Sequence, residues 1–324
     1  LTANVPNPTG YGRVLKNSSG LVEQIVEEKD TNSEQKKIKE IFTGVMAING
    51  KILKKLIPLI NNNNASKEYY LTDLIGIANT NGFKIETLSV SWEETLGANT
   101  RSEQEKLEQT YRKMKNQELL QNGITLIDKN RVDVRGDLQA GSDCTVDINV
   151  IFEGKVELGN NVKIGANTII SNTKIGDNSE ILPFSHIDSS QIGEDCFIGP
   201  YARLREGSEI ANGARIGNFV ETKKTKIGQS TKANHFTYLG DAKIGNDVNI
   251  GAGTITCNYD GVRKSKTIIE DGAFIGSNTS LVAPVKIGKK AIVGASSVIT
   301  QNVKNGSLAL TRAKQTEIKN YKRK

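Results

Sequence analysis

Histidine, cysteine, aromatic residues and long apolar runs are what this chain of 324 residues has least of, and each scarcity removes a class of function. With only His186 and His235, one chain cannot furnish a three-histidine zinc site. Cys144, Cys196 and Cys257 stand far apart with no C-x-x-C pair, so reduced thiols are expected rather than a disulfide framework. Aromatic side chains make up 5% of the chain, too few to interleave with cations as base-stacking platforms, which argues against nucleic acid. No run of eighteen apolar residues exists and residues 1–10 have no basic-then-apolar pattern, so neither a membrane span nor a signal peptide is predicted and a cytoplasmic location is expected. Much of the net charge of +7 gathers in residues 312–324, where Arg312, Lys314, Lys319, Lys322, Arg323 and Lys324 face only Glu317 and read as a solvated tail.

What is present divides the chain. The opening Leu1 to Val5 reads as a strand entered from upstream, so the chain is expected to be a fragment. Residues 1–98 mix strand-like (Thr43 to Ile48) and helix-like (Lys51 to Ile60) patterns around an Asn61 to Asn64 loop, an α/β segment. Residues 99–123 read as a linker helix, with a possible capping box in Ser102-x-x-Glu105, an apolar stripe of Leu107, Tyr111 and Met114, and Gly123 as the stop.

From Ile124 onward an aliphatic residue followed by glycine returns every six residues, as in Ile192-Gly193, Ile198-Gly199, Leu204, Ile210 and Ile216-Gly217. Six residues suit one short strand and a tight turn, three to a coil, so residues 124–311 are predicted to be a parallel β solenoid with the aliphatic side chains stacked inward. The adjoining glycines, with Asn and Asp, are expected to take the turn conformations. Two stretches lack the repeat, Asn218 to Gly240 and Cys257 to Lys266, and functional groups are expected there. His186 reads as a surface imidazole, whereas His235 lies in a polar stretch close to Lys223, Lys224 and Lys226, where an imidazole can act as a general base.

Four segments are specific enough to name a family: Gly199-Pro-Tyr-Ala-Arg-Leu-Arg205, Gly217-Asn-Phe-Val-Glu-Thr-Lys-Lys224, His235-Phe-Thr-Tyr-Leu-Gly-Asp241 and Asn249-Ile-Gly-Ala-Gly-Thr-Ile-Thr-Cys-Asn-Tyr-Asp-Gly261. Together with Asn7 to Arg13 and Tyr69 to Asp73, they resemble the bacterial bifunctional N-acetylglucosamine-1-phosphate uridylyltransferase/glucosamine-1-phosphate N-acetyltransferases. The resemblance implies a left-handed coil, a homotrimer whose sites neighbouring chains complete, and acetyl transfer from acetyl-CoA to glucosamine 1-phosphate on the route to UDP-N-acetylglucosamine. It makes His235 the catalytic base, with Glu221 a candidate for orienting it, and gives the sugar phosphate to Arg205, Lys223, Tyr238, Asn249 and Lys264. Acetyl-CoA falls to Ala252, Asn258, Tyr259, Ser277, Ala295 and Arg312.

For the uridylyltransferase half, the resemblance gives Gly12, Glu27 and Asn99 to the sugar nucleotide, with Asn99 also at the Mg²⁺ site, in a truncated, Rossmann-like nucleotidyltransferase remnant. The family's phosphate loop and Mg²⁺-binding Gly-Asp segment are absent, and Phe42 stands where the family has Asn, so that activity is expected to be missing and the remnant sheet to keep an incomplete core. Two other readings stay open: a hexapeptide acyltransferase with a different acceptor, and a non-catalytic partner subunit.

Overall fold

A computed structural model describes residues 1–98 and 100–322. The chain divides into two compact units, Leu1–Thr110 and Tyr111–Lys324.

The first unit is built on a four-stranded sheet of β1 (Thr2–Asn4), β2 (Arg13–Lys16), β3 (Val22–Val26) and β4 (Glu40–Phe42), in the order β1-β4-β2-β3. Helices α1 (Gly50–Leu56) and α2 (Asp73–Thr80) follow. The strands pair antiparallel, β1 with β4, β4 with β2 and β2 with β3, the last across the short link of residues 17–21, while Thr2 also bridges Ser89 in parallel. The strand expected at Thr43 to Ile48 ends earlier, at Phe42, and α1 stops at Leu56, followed by a 3-10 turn holding Pro58. Among the described residues the buried apolar side chains of this unit form three small clusters, around Ile41, Ile25 and Leu74. A cavity of about 240 Å³ is lined by Val14, Ile25, Phe42 and Ile85 among others, so the core of this unit is incompletely filled.

Helix α3 (Arg101–Gln121) is capped one turn position earlier than the sequence suggests. Thr100 Oγ1 accepts from the Glu103 N–H at 3.2 Å and a Glu103 carboxylate oxygen accepts from the Thr100 N–H at 3.0 Å, a reciprocal box two residues before Ser102 and Glu105. Gly123, at φ +84°, ends it, and the Ile124 N–H returns to the Leu119 carbonyl. The expected stripe is not the buried one: Tyr111 and Met114 are exposed, while Asn116 and Leu119 are buried. Leu119 joins the solenoid core, and Asn116 Nδ2 donates to the carbonyls of Lys129 and Val132, so this end of the helix closes the first coil.

The second unit is a parallel β solenoid of about 10 turns. Val132 pairs with Val150, and Ile169 with His186, so one coil takes 18 or 17 residues, three hexapeptides with an occasional deletion. The aliphatic residues of the repeat point inward and are almost wholly buried, Ile164, Ile181, Ile198, Ile216 and Ile275 among them, in one continuous core.

The repeat glycines have a different reason from the one the sequence suggests. The left-handed corners are taken by Asn161, Asn178, Asp195 and Asp247, with φ between +54° and +58°, residues whose short polar side chains tolerate that region. Gly176, by contrast, is glycine because a Cβ there would come within 2.6 Å of the Gly193 carbonyl carbon one coil on, and Gly228 meets Gly245 in the same way. These glycines allow coils to approach closely.

Of the two expected interruptions, only the second leaves the coil. Strands Arg215–Lys223 and Lys232–Gly240 pair in unbroken register from Arg215↔Lys232 to Lys223↔Gly240, so Asn218 to Gly240 keeps the coil, and Ile227-Gly228 within it keeps the aliphatic-glycine signature. At Cys257 to Lys266 the register changes: Lys226 pairs with Lys243, but Ala242 pairs with Thr267. The additional residues form a protruding loop, pinned by the Tyr259↔Lys264 bridge.

Candidate active site

His235 lies in strand Lys232–Gly240, with its exposed imidazole directly across from Asn218 in the neighbouring coil. Its Nδ1 is 2.9 Å from Asn218 Oδ1. An amide oxygen can only accept, so this contact calls for a proton on Nδ1, and in the neutral imidazole that tautomer leaves the lone pair on Nε2. Asn218 was not singled out in the sequence; the signal that could have found it is its place seventeen residues before His235, one coil length. Glu221, the expected orienter, instead accepts from Arg205 Nη1 at 2.7 Å, and this ion pair raises the guanidinium further above its usual range.

Backbone hydrogen bonds join the corners of successive coils: Gly253 N–H to Phe236 O, Asn278 N–H to Ala252 O and Ser296 N–H to Ser277 O. They place Ala252, Ser277 and Ala295 in one file running on from His235. All three of these positions carry small side chains. Arg312 Nη1 donates to the Ala295 carbonyl at 3.2 Å, so two expected acetyl-CoA residues meet at the end of the file.

On the other side of His235 the same corner is aromatic. Phe184, Tyr201, Phe219 and Phe236 all take positive φ and are exposed, and the first three rings stack with centroids 4.9 and 5.3 Å apart.

The adjacent face carries the register Arg203↔Glu221↔Tyr238. Arg205 and Lys223 line its cavity of about 230 Å³, and Lys223 lies 3.7 Å from Glu206. Tyr238 is half-buried with its ring folded over Gly240, where a Cβ would collide with it. Asn249 is not on this face: it pairs with Lys232 and Phe274. Asn258 is buried at the root of the loop and donates to Asp241 Oδ2 at 2.5 Å, while Tyr259 and Lys264 are exposed on the loop. Arg205, Lys223 and Tyr238 therefore share a face, Ala252, Ser277, Ala295 and Arg312 share a corner with His235, and Asn249 stands apart.

In the first unit, Gly12 and Glu27 meet, a Cβ on Gly12 lying 3.5 Å from the Glu27 carboxylate, which accepts from the Thr72 hydroxyl at 2.8 Å. Asn99 lies outside the described residues. Among the described residues no three His, Cys, Asp or Glu side chains converge in a way that fits a metal ion such as Mg²⁺. Phe42 takes part in the apolar cluster around Ile25, in line with an apolar rather than a hydrogen-bonding role.

The profile described as bacterial transferase hexapeptide (six repeats) matches residues 189–224 and 266–301, and that described as hexapeptide repeat of succinyl-transferase matches residues 155–181. Among solved structures, a UDP-N-acetylglucosamine acyltransferase from Campylobacter jejuni aligns at TM-score 0.40 and 18% identity, covering 55% of this chain and 70% of that one. Curated relatives match far more fully. The bifunctional protein GlmU of Saccharophagus degradans is 53% identical over 100% of this chain and 72% of its own length. Those of Cellvibrio japonicus and Pseudoalteromonas atlantica are 51% and 49% identical, again over 100% of this chain and over 72% and 71% of their own lengths. At such identity over every residue of the sequence, the chain belongs to the bifunctional GlmU protein family.

Proposed function

We propose that this chain is an acyltransferase that moves the acetyl group of acetyl-CoA onto the amine of glucosamine 1-phosphate, a step toward UDP-N-acetylglucosamine. The observation that carries the reading is the His235–Asn218 contact, which leaves Nε2 able to accept a proton at the junction of a small-residue track and a cationic face. An ammonium has no lone pair, so the amine must be neutral when it attacks. As the new C–N bond forms at the thioester carbonyl, Nε2 takes the amine proton; the C–S bond then breaks and coenzyme A leaves as the thiol, carrying that proton. A base so placed contributes roughly a hundredfold to ten-thousandfold in rate.

Pantetheine runs along Ala252, Ser277 and Ala295, with Arg312 at a coenzyme A phosphate and Asn258 and Tyr259 near the acetyl end. Arg205 and Lys223 hold the sugar phosphate with Tyr238 beside them, and Lys264 reaches in from the loop. Asn249 faces elsewhere on its own chain, and the exposed aromatic ladder from Phe184 to Phe236 borders His235. Both features support a homotrimer in which one chain's Asn249 serves a neighbour's site, with the ladder at the seam. The test is thiol release from acetyl-CoA with glucosamine 1-phosphate, glucosamine and other phosphorylated amines as acceptors. Selective release with glucosamine 1-phosphate is expected; equal release with all acceptors, or none, would overturn the reading.

A further inference from the structure

We infer that Arg203, backed by His186, is a further phosphate-gripping residue that selects a phosphorylated acceptor; this rests on the acceptor reading above. Arg203 and Arg205 flank the buried Leu204, so strand alternation sends both to the same outer face. Both line the 230 Å³ cavity, with His186, Asp188, Glu206 and Lys223. Their situations differ. Arg205 is held by Glu221 at 2.7 Å and Lys223 lies 3.7 Å from Glu206, whereas Arg203 and His186 have no hydrogen-bond or ion-pair partner among the described residues.

Register explains why Arg203 is free. It stands directly across from Glu221, the acid it would pair with, but that carboxylate is taken by Arg205, two residues on and just past the strand. On its other side, one coil back, stands His186, which offers no carboxylate. Coils are about 4.8 Å apart, so a guanidinium at Arg203 can lean over the cavity toward an anion held by Arg205 and Lys223. An incoming phosphate then meets one guanidinium that need not break an ion pair to donate two parallel N–H bonds. His186 adds a third donor when protonated. The ligand class is a phosphomonoester, and a neutral amino sugar would gain nothing from these two side chains.

Glucose 1-phosphate, which lacks the reactive amine, separates this inference from the acetyl-transfer reading. Calorimetric titration of the full chain is expected to show binding that weakens about tenfold to a hundredfold in Arg203→Met, with Arg203→Lys in between. Glucose should bind wild type and variant alike, and the KM for acetyl-CoA should not move, which also reports an intact fold. Equal affinity of wild type and Arg203→Met for glucose 1-phosphate, or no binding to either, overturns the inference. Arg203-dependent binding in a chain that transfers no acetyl group would support the phosphate subsite and sink the acetyltransferase reading instead.

Discussion

Asn218 Oδ1 lies 2.9 Å from His235 Nδ1 and favours the tautomer protonated there, so its loss should act on turnover rather than on binding. Asn218→Ala is expected to lower kcat by roughly tenfold or more with both KM values unchanged, as loss of an orienting partner generally does; steady-state kinetics showing a KM effect alone would contradict it. The polar neighbourhood of His235 was legible in the sequence, but its contact with Asn218 was not, because coil register is set by hydrogen bonds that a linear pattern does not display. Glu221 illustrates the same limit, being near in sequence yet engaged by Arg205. The thiols also separate at this scale. Burial holds Cys144 and Cys196 above the ordinary thiol range, while Cys257 is only half-buried. Mass-spectrometric mapping after brief alkylation of the native chain should find Cys257 modified first, and equal labelling of all three would be inconsistent with the burial described.

The short strands and their tight corners were written in the six-residue repeat, and the inward aliphatic ladder follows it closely. What the repeat hid is that glycines such as Gly176 and Gly228 serve close approach, while the left-handed corners are shared by Asn, Asp and other glycines such as Gly213 and Gly253. Gly176→Ala is accordingly expected to destabilise the chain by about 1–3 kcal/mol, because Gly193 backbone cannot yield as a side chain would; an unchanged unfolding midpoint in urea would count against this. The loop at Cys257 to Lys266 was legible as a break, whereas Asn218 to Gly240 only looked like one, since its strands keep register with other residues. In that loop the N–H groups of Arg263 and Val262 hold the Asp260 carboxyl below its usual range. A depressed folded value means the contribution is complete above the ordinary Asp range of about 4 and is lost as pH falls through the lowered value. Asp260→Ala should therefore make the loop a faster site of proteolytic cleavage at neutral pH. Wild type should approach the variant's cleavage rate only in acid, and identical rates at pH 7 would remove Asp260 from this role.

Over the whole molecule, one continuous core runs through the coils, while the first unit has three small ones and a cavity. The antiparallel pairing of β2 with β3 in that unit follows from the short link of residues 17–21. The aromatic ladder is an exposed apolar feature outside the core, and Phe219→Glu should weaken self-association, read as a fall in mass by light scattering with the far-ultraviolet circular dichroism retained. An unchanged mass would move the seam elsewhere. Removal of the amine proton by the Nε2 lone pair of His235 is tested by thiol release from acetyl-CoA with glucosamine 1-phosphate, compared between wild type and His235→Ala. A fall in kcat of about a hundredfold or more is expected, with the KM for acetyl-CoA retained; equal rates in the two proteins would rule out His235 as the base.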